Sequence, residues 1–160
     1  MIQINAAPNA LRIPGKGKSM HPIRVFTSFD RDRDRDLHER LIRDSRNADS
    51  PFEIADWSGR DVGSWGMDAD ESLRARIEQV DALIVICGEH TDSAVGVSLE
   101  LRIAQDQEKP YFLIWGRREQ TCTKPLGAKP GDDMYTWIWE LLKYQISLEM
   151  RRSPPGVGKA

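Results

Sequence analysis

Only two cysteines, Cys87 and Cys122, occur in the chain, and neither belongs to a Cys-x-x-Cys pair or a Cys/His ligand cluster. That argues against a disulfide framework and a structural zinc site, and it fits a reducing cytoplasm. No apolar run approaches the roughly 18 residues that span a bilayer. The start of the chain lacks both the apolar core of a secretory signal and an Arg-rich amphipathic pattern, so no targeting peptide is expected. An excess of one charge is also missing. With 23 Lys and Arg against 25 Asp and Glu, the net charge is −2. Nothing electrostatic therefore favours nucleic acid or an anionic membrane as a partner.

What is present is the composition of one globular domain. The 160 residues are 39% hydrophobic and 30% charged, enough for a single core. Residues 1–22 lack periodicity and carry Pro8, Pro14, Gly15, Gly17 and Pro22, the pattern of a flexible arm in which Met20 is a second candidate start. Residues 150–160, rich in Pro and Gly, read as a disordered tail, which leaves a domain over 23–149.

Within that domain short apolar runs alternate with helical patterns. Strands are expected at Ile23 to Ser28, Phe52 to Trp57, Ala82 to Cys87 and Tyr111 to Trp115. Helices are expected after Asp30, which reads as a cap, then near Glu71 to Gln79, Ser93 to Gln107 and Asp133 to Glu149. Continuous apolar strands separated by helices imply a parallel sheet covered on both faces. The expected class is a three-layer, doubly wound α/β domain of four to five strands, flavodoxin-like.

Some motifs fail on inspection. Gly15-Lys16-Gly17-Lys18-Ser19 invites a phosphate-loop reading, but the required upstream glycine is Arg12, and no strand precedes it. The run from Asp30 to Asp36 alternates aspartate with arginine, which reads as a solvated helix face rather than a metal cluster. No metal site is expected. Asp30, Asp56 and Lys109-Pro110 resemble the pattern of a response-regulator receiver superficially. The third strand, however, ends Ile86-Cys87-Gly88, without a phosphoacceptor aspartate.

Glu100 stands apart. On a straight helix its neighbours at three and four positions are Gly96, Val97, Ile103 and Ala104, none of them charged. Glu39 and Glu78, in contrast, have arginines four residues away. Open α/β sheets bind ligands beyond the carboxyl ends of their strands, and Glu100 follows such an end closely. Phe29, Trp57 and Trp65 fall at strand ends or in the following loop, where aromatic rings stack on a planar ligand or simply anchor the loop.

These pieces resemble one family. Arg24 to Asp30 (R-V-F-T-S-F-D) is similar to the first strand and turn of TIR-like proteins of the bacterial Thoeris antiphage type. Ile84 to Ala104 (I-V-I-C-G-E-H-T-D-S-A-V-G-V-S-L-E-L-R-I-A) resembles that family's third strand and helix, and Lys109 to Gly116 its fourth strand. The likeness covers roughly residues 23–148.

The resemblance implies an enzyme that cleaves the nicotinamide–ribose bond of NAD, with NAD as substrate and no bound cofactor. It makes Glu100 the catalytic residue. It places Phe26, Ser28, Phe29, Asp30, Asp56, Trp57, Ser58, Gly88, Ser93 and Gly96 around the substrate. The product is ADP-ribose or a cyclic form of it, acting as a signal for an effector protein, and a homo-oligomer is compatible with the pattern. Three departures stand out. Gly96 replaces a family tryptophan, the spacing from Ser93 to Glu100 is one residue longer, and Glu89 adds a second carboxylate. Two other functions fit the same fold class: a nucleoside deoxyribosyltransferase-like enzyme with a glutamate nucleophile, and a non-catalytic interaction module.

Overall fold

The computed structural model describes residues 22–55 and 69–152. Its elements, in chain order, are β1 (Ile23–Ser28), α1 (Arg35–Ser45), β2 (Phe52–Ile54), α2 (Ala69–Glu78), β3 (Ala82–Cys87), α3 (Val95–Asp106), β4 (Tyr111–Trp115), β5 (Met134–Thr136) and α4 (Trp139–Arg152). A short 3-10 turn, Thr91–Ser93, lies between β3 and α3.

The strands form one parallel sheet in the order β2-β1-β3-β4-β5. The middle position goes to β3, whose six residues A-L-I-V-I-C are all buried. A strand apolar on both faces is stable only where helices cover both. Its alternate side chains define the two halves of the core. Ala82, Ile84 and Ile86 meet Leu37 and Leu41 of α1 and Leu142 and Ile146 of α4. Leu83, Val85 and Cys87 meet Ile77 of α2 and Val97, Leu101 and Ala104 of α3. The chain is therefore a three-layer, doubly wound α/β domain.

Several expectations shift at this level. The second strand stops at Ile54, short of the predicted Trp57. The third helix begins at Val95 rather than Ser93, because residues 91–93 tighten into the 3-10 turn. It ends at Asp106, and Glu108 just beyond it takes the left-handed φ of 57°. The largest difference is β5. Met134–Thr136 pairs in parallel with Leu113–Trp115, in a stretch the sequence pattern assigned to the last helix. Three residues of mixed polarity carry no usable period. Helix α4 thus starts at Trp139 and runs to Arg152, into the segment read as a tail.

Asp30 does not cap α1. The N-cap is Asp34, and Asp30 Oδ1 instead accepts the backbone N–H groups of Asp32 (3.1 Å) and Arg33 (3.3 Å) in the preceding turn. Nor is the Asp/Arg run simply a solvated face, since Asp30 and Asp34 are buried. Lys109 lies at the opposite end of the sheet from any receiver site, its Nζ donating to the Glu78 carbonyl at 2.9 Å.

Packing of this kind has a measurable signature. Leu101 is fully buried between α3 and the sheet, whereas Leu126 is 65% exposed. Leu101→Ala is expected to cost about 2–5 kcal/mol in a denaturant titration, and Leu126→Ala less than about 0.5 kcal/mol.

Candidate active site

The register of the sheet creates the site. Ser28, the last residue of β1, pairs with Val85, so β3 continues past the end of β1 through Cys87 to Gly88. From β1 the chain turns to β2 on one side, while β3 and its successors build outward on the other. This is the topological switch point, where adjacent loops diverge and leave a crevice. Ser28 and Glu100 meet there, one from the end of β1 and the other from the second turn of α3.

Glu100 is only 6% exposed and Ser28 fully buried. The Ser28 hydroxyl donates to Glu100 Oε1 at 2.5 Å, and Arg31 Nη2 approaches Oε2 at 3.5 Å. Burial raises the Glu100 carboxyl above its ordinary range, opposed by the Ser28 hydrogen bond and the charges of Arg31 and Arg76. The carboxylate that finds no charged neighbour along its own helix thus finds its partners on β1 and the turn after it.

Arg31 binds the turn together. Its guanidinium lies 5.0 Å above the Phe29 ring, and Phe29 stacks on His38 of α1 with centroids 4.3 Å apart. Burial, with help from the charges of Arg31 and Arg35, lowers the His38 imidazole to about 4. A neutral His38 therefore packs against Phe29 while the cation is left to Arg31.

The remaining expected residues fall into distinct places. Phe26 lies in the core beneath Ser28, on the α2/α3 face. Phe29 points to the other face, among residues of α1 and α4, and both sides of its ring are occupied. Asp30 shapes the 30–34 turn, with Arg33 Nη1 at 3.2 Å. Ser93 is exposed and donates to the His90 carbonyl at 3.1 Å. Gly96 is exposed in the first turn of α3, with open space where a side chain would project. Asp56, Trp57, Ser58 and Trp65 lie outside the described residues, as do Met20 and the Gly15–Ser19 motif.

Gly88 sits at the tip of β3, where a Cβ would come within 2.2–2.7 Å of the Asp34 carboxylate. Its N–H donates to Thr91 Oγ1 at 2.8 Å, which ties the start of the loop to the 3-10 turn. Thr91, Arg31, Asp34 and Arg117 were not singled out from the sequence. Thr91 follows the strand-end glycine by three residues, a spacing that could have marked it. The other three are contacts between distant segments. Among the described residues, no group of three or more His, Cys, Asp or Glu is placed to hold a metal, and no helix is long and apolar enough to cross a membrane. An open groove of about 340 Å³ lined by Asp49, Pro51, Lys143 and Tyr144 lies beside the start of β1, away from Glu100.

A parallel sheet of order 2-1-3-4-5, with a buried carboxylate at the β1/β3 switch point, defines a doubly wound α/β protein. Residues 26–121 match the family model of the TIR-like domain of Thoeris protein ThsB. The match takes in more than half of the chain and spans both Ser28 and Glu100, and the chain belongs to that family. No curated protein matches it.

Two outcomes follow from this geometry. Gly88→Ala is expected to destabilise the fold by about 1–3 kcal/mol, because the added methyl would displace the buried Asp34 carboxylate that Arg117 holds. Gly96→Ala, on an open helical turn, should be neutral or stabilising by up to about 1 kcal/mol in the same denaturant titration. The second outcome concerns pH. A carboxyl raised on folding penalises the folded state once it ionises. That penalty is absent well below the ordinary value of 4.5, grows as pH rises from there to the folded value, and is complete above it. Glu100→Gln, which keeps an acceptor for Ser28, is expected to melt a few degrees above the parent at about pH 8, with the gap closing near about pH 4.

Proposed function

We propose that this chain cleaves the bond between nicotinamide and ribose in NAD. The observation that supports it most is the seat of Glu100, a buried carboxylate at the sheet's switch point held by one hydroxyl and one partly exposed cation. Membership of the Thoeris TIR-like family supports the same reading.

The chemistry suits such a group. As the C–N bond breaks, the bonding pair leaves with nicotinamide, which departs neutral, so no strong general acid is required. Positive charge develops on the ribosyl carbon and ring oxygen. A carboxylate in a poorly solvated site stabilises that charge far more than water would. Ser28 orients Glu100 through Oε1, leaving Oε2 toward the side from which Arg31 approaches. Arg31, 57% exposed along its side chain, can leave Oε2 for water or for the phosphates of a dinucleotide, opening the carboxylate to ribose. Water as acceptor at the ribosyl carbon gives ADP-ribose; a hydroxyl of the same ADP-ribose gives a cyclic product. In the Thoeris setting that product is a signal in antiphage defence, read by an effector protein.

Mass spectrometry of the purified protein with NAD tests the proposal, beside Glu100→Gln. Nicotinamide release with ADP-ribose or a cyclic isomer is expected, reduced at least about 100-fold in the variant. Base exchange between nucleosides with NAD untouched would instead identify a deoxyribosyltransferase-like enzyme. Consumption of neither substrate by the concentrated protein would leave an interaction module.

A further inference from the structure

We propose that Arg117 is a positioning residue for the Glu100 site, acting through the turn that carries Arg31. The inference rests on the NAD-cleaving reading for its catalytic consequence but not for its structural one.

Arg117 follows Gly116 at the end of β4, two strands away from Ser28. Its guanidinium reaches back across the strand ends to the segment between β1 and α1. Nη1 donates to Asp36 Oδ2 at 3.0 Å, and Nη2 is shared among Asp36 Oδ1 (2.8 Å), Asp34 Oδ1 (3.0 Å) and the Arg33 carbonyl (3.1 Å). One planar group thereby grips Arg33, Asp34 and Asp36 at the helix entry, a task that suits a rigid fork and not a point charge.

What it grips is fixed on the other side as well. Asp34 is buried, and its Oδ2 lies against Gly88 with no hydrogen-bond partner. The Asp34 N–H returns to the Asp30 carbonyl at 2.8 Å, closing the turn over residues 31–33. Arg31 makes no hydrogen bond of this kind into the turn; its guanidinium rests over the Phe29 ring and reaches Glu100 from there. Its reach to Glu100 depends on where this turn is held, and the turn is held between Gly88 at the tip of β3 and Arg117 at the tip of β4. Arg76, on α2, is the other cation near Glu100 and lies outside this linkage.

The test is a double-mutant cycle read in two ways. Titration of the Glu100 carboxyl by NMR in the parent, Arg117→Met, Arg31→Ala and the double variant reports the Arg31 contact directly. The midpoint is expected to rise in Arg117→Met toward the Arg31→Ala value, with no further rise in the double variant. Arg117→Lys keeps a cation for the buried Asp34 should the methionine variant not fold, and is expected to show part of the same rise. In NAD turnover, kcat should fall about 10- to 100-fold in Arg117→Met and no further when Arg31→Ala is added. A Glu100 midpoint identical to the parent in both Arg117 variants would overturn the proposal, as would effects that simply add. If the parent does not cleave NAD at all, the enzyme reading fails while the titration still decides the role of Arg117.

Discussion

Everything distinctive in this structure depends on one contact, the hydrogen bond from the Ser28 hydroxyl to the buried carboxylate of Glu100. A carboxylate removed from water strongly disfavours its charged form, and only a directed donor or a nearby cation offsets that. Both arrive here from the end of β1. That requirement fixes how far β1 extends relative to β3, where α3 lies over the two strands, and which way the following turn must run. The rest of the fold is the means of bringing residues 28 and 100 together with their orientation set. The fully apolar β3 supplies that rigidity, because a strand buried on both faces has one register that hides all of its side chains.

The same turn carries the opposite charge. Residues 30–36 read as a monotonous string, yet the structure gives each member a different task. Asp30 closes the turn, Arg31 faces Glu100, Asp34 is buried against Gly88, and Asp36 takes the outer edge of Arg117. The backbone of the turn, closed by the Asp34 N–H on the Asp30 carbonyl, points successive side chains in different directions. Arg31 and Asp34 can therefore serve different halves of the strand-end surface without pairing with one another.

The sequence made the frame legible and the site only in part. Buried strands such as Ala82–Cys87 announce themselves, because no polar residue interrupts six positions. Glu100 could be suspected because its helix offers it no partner. Ser28, 72 residues away, was placed beside it only by the family resemblance, and Arg31, 69 residues away, by nothing, since no local period links them. The burial of Asp34 was hidden for the same reason, as Arg117 lies 83 residues downstream. The fifth strand escaped because three residues, Met134–Thr136, are recruited by the exposed edge of β4 rather than by any pattern of their own. Expectations built on local chemistry fail where tertiary contacts supply the missing charge.

Asp34 and Glu100 are both buried acids, and burial raises both. Their partners separate them. Asp34 is held by an arginine whose side chain is 27% exposed, at 3.0 Å, and its free oxygen abuts backbone, so nothing can approach it without rebuilding the tips of β3 and β4. Glu100 has its cation at 3.5 Å on a side chain that is 57% exposed. The Arg31 guanidinium is thus half-hydrated, and when it turns to solvent the Ser28 hydrogen bond stays on the carboxylate. On the reading proposed above, Glu100 is the acid placed to meet a developing positive charge, because its arginine is the more exposed of the two. The acid with the fixed partner is part of the scaffold.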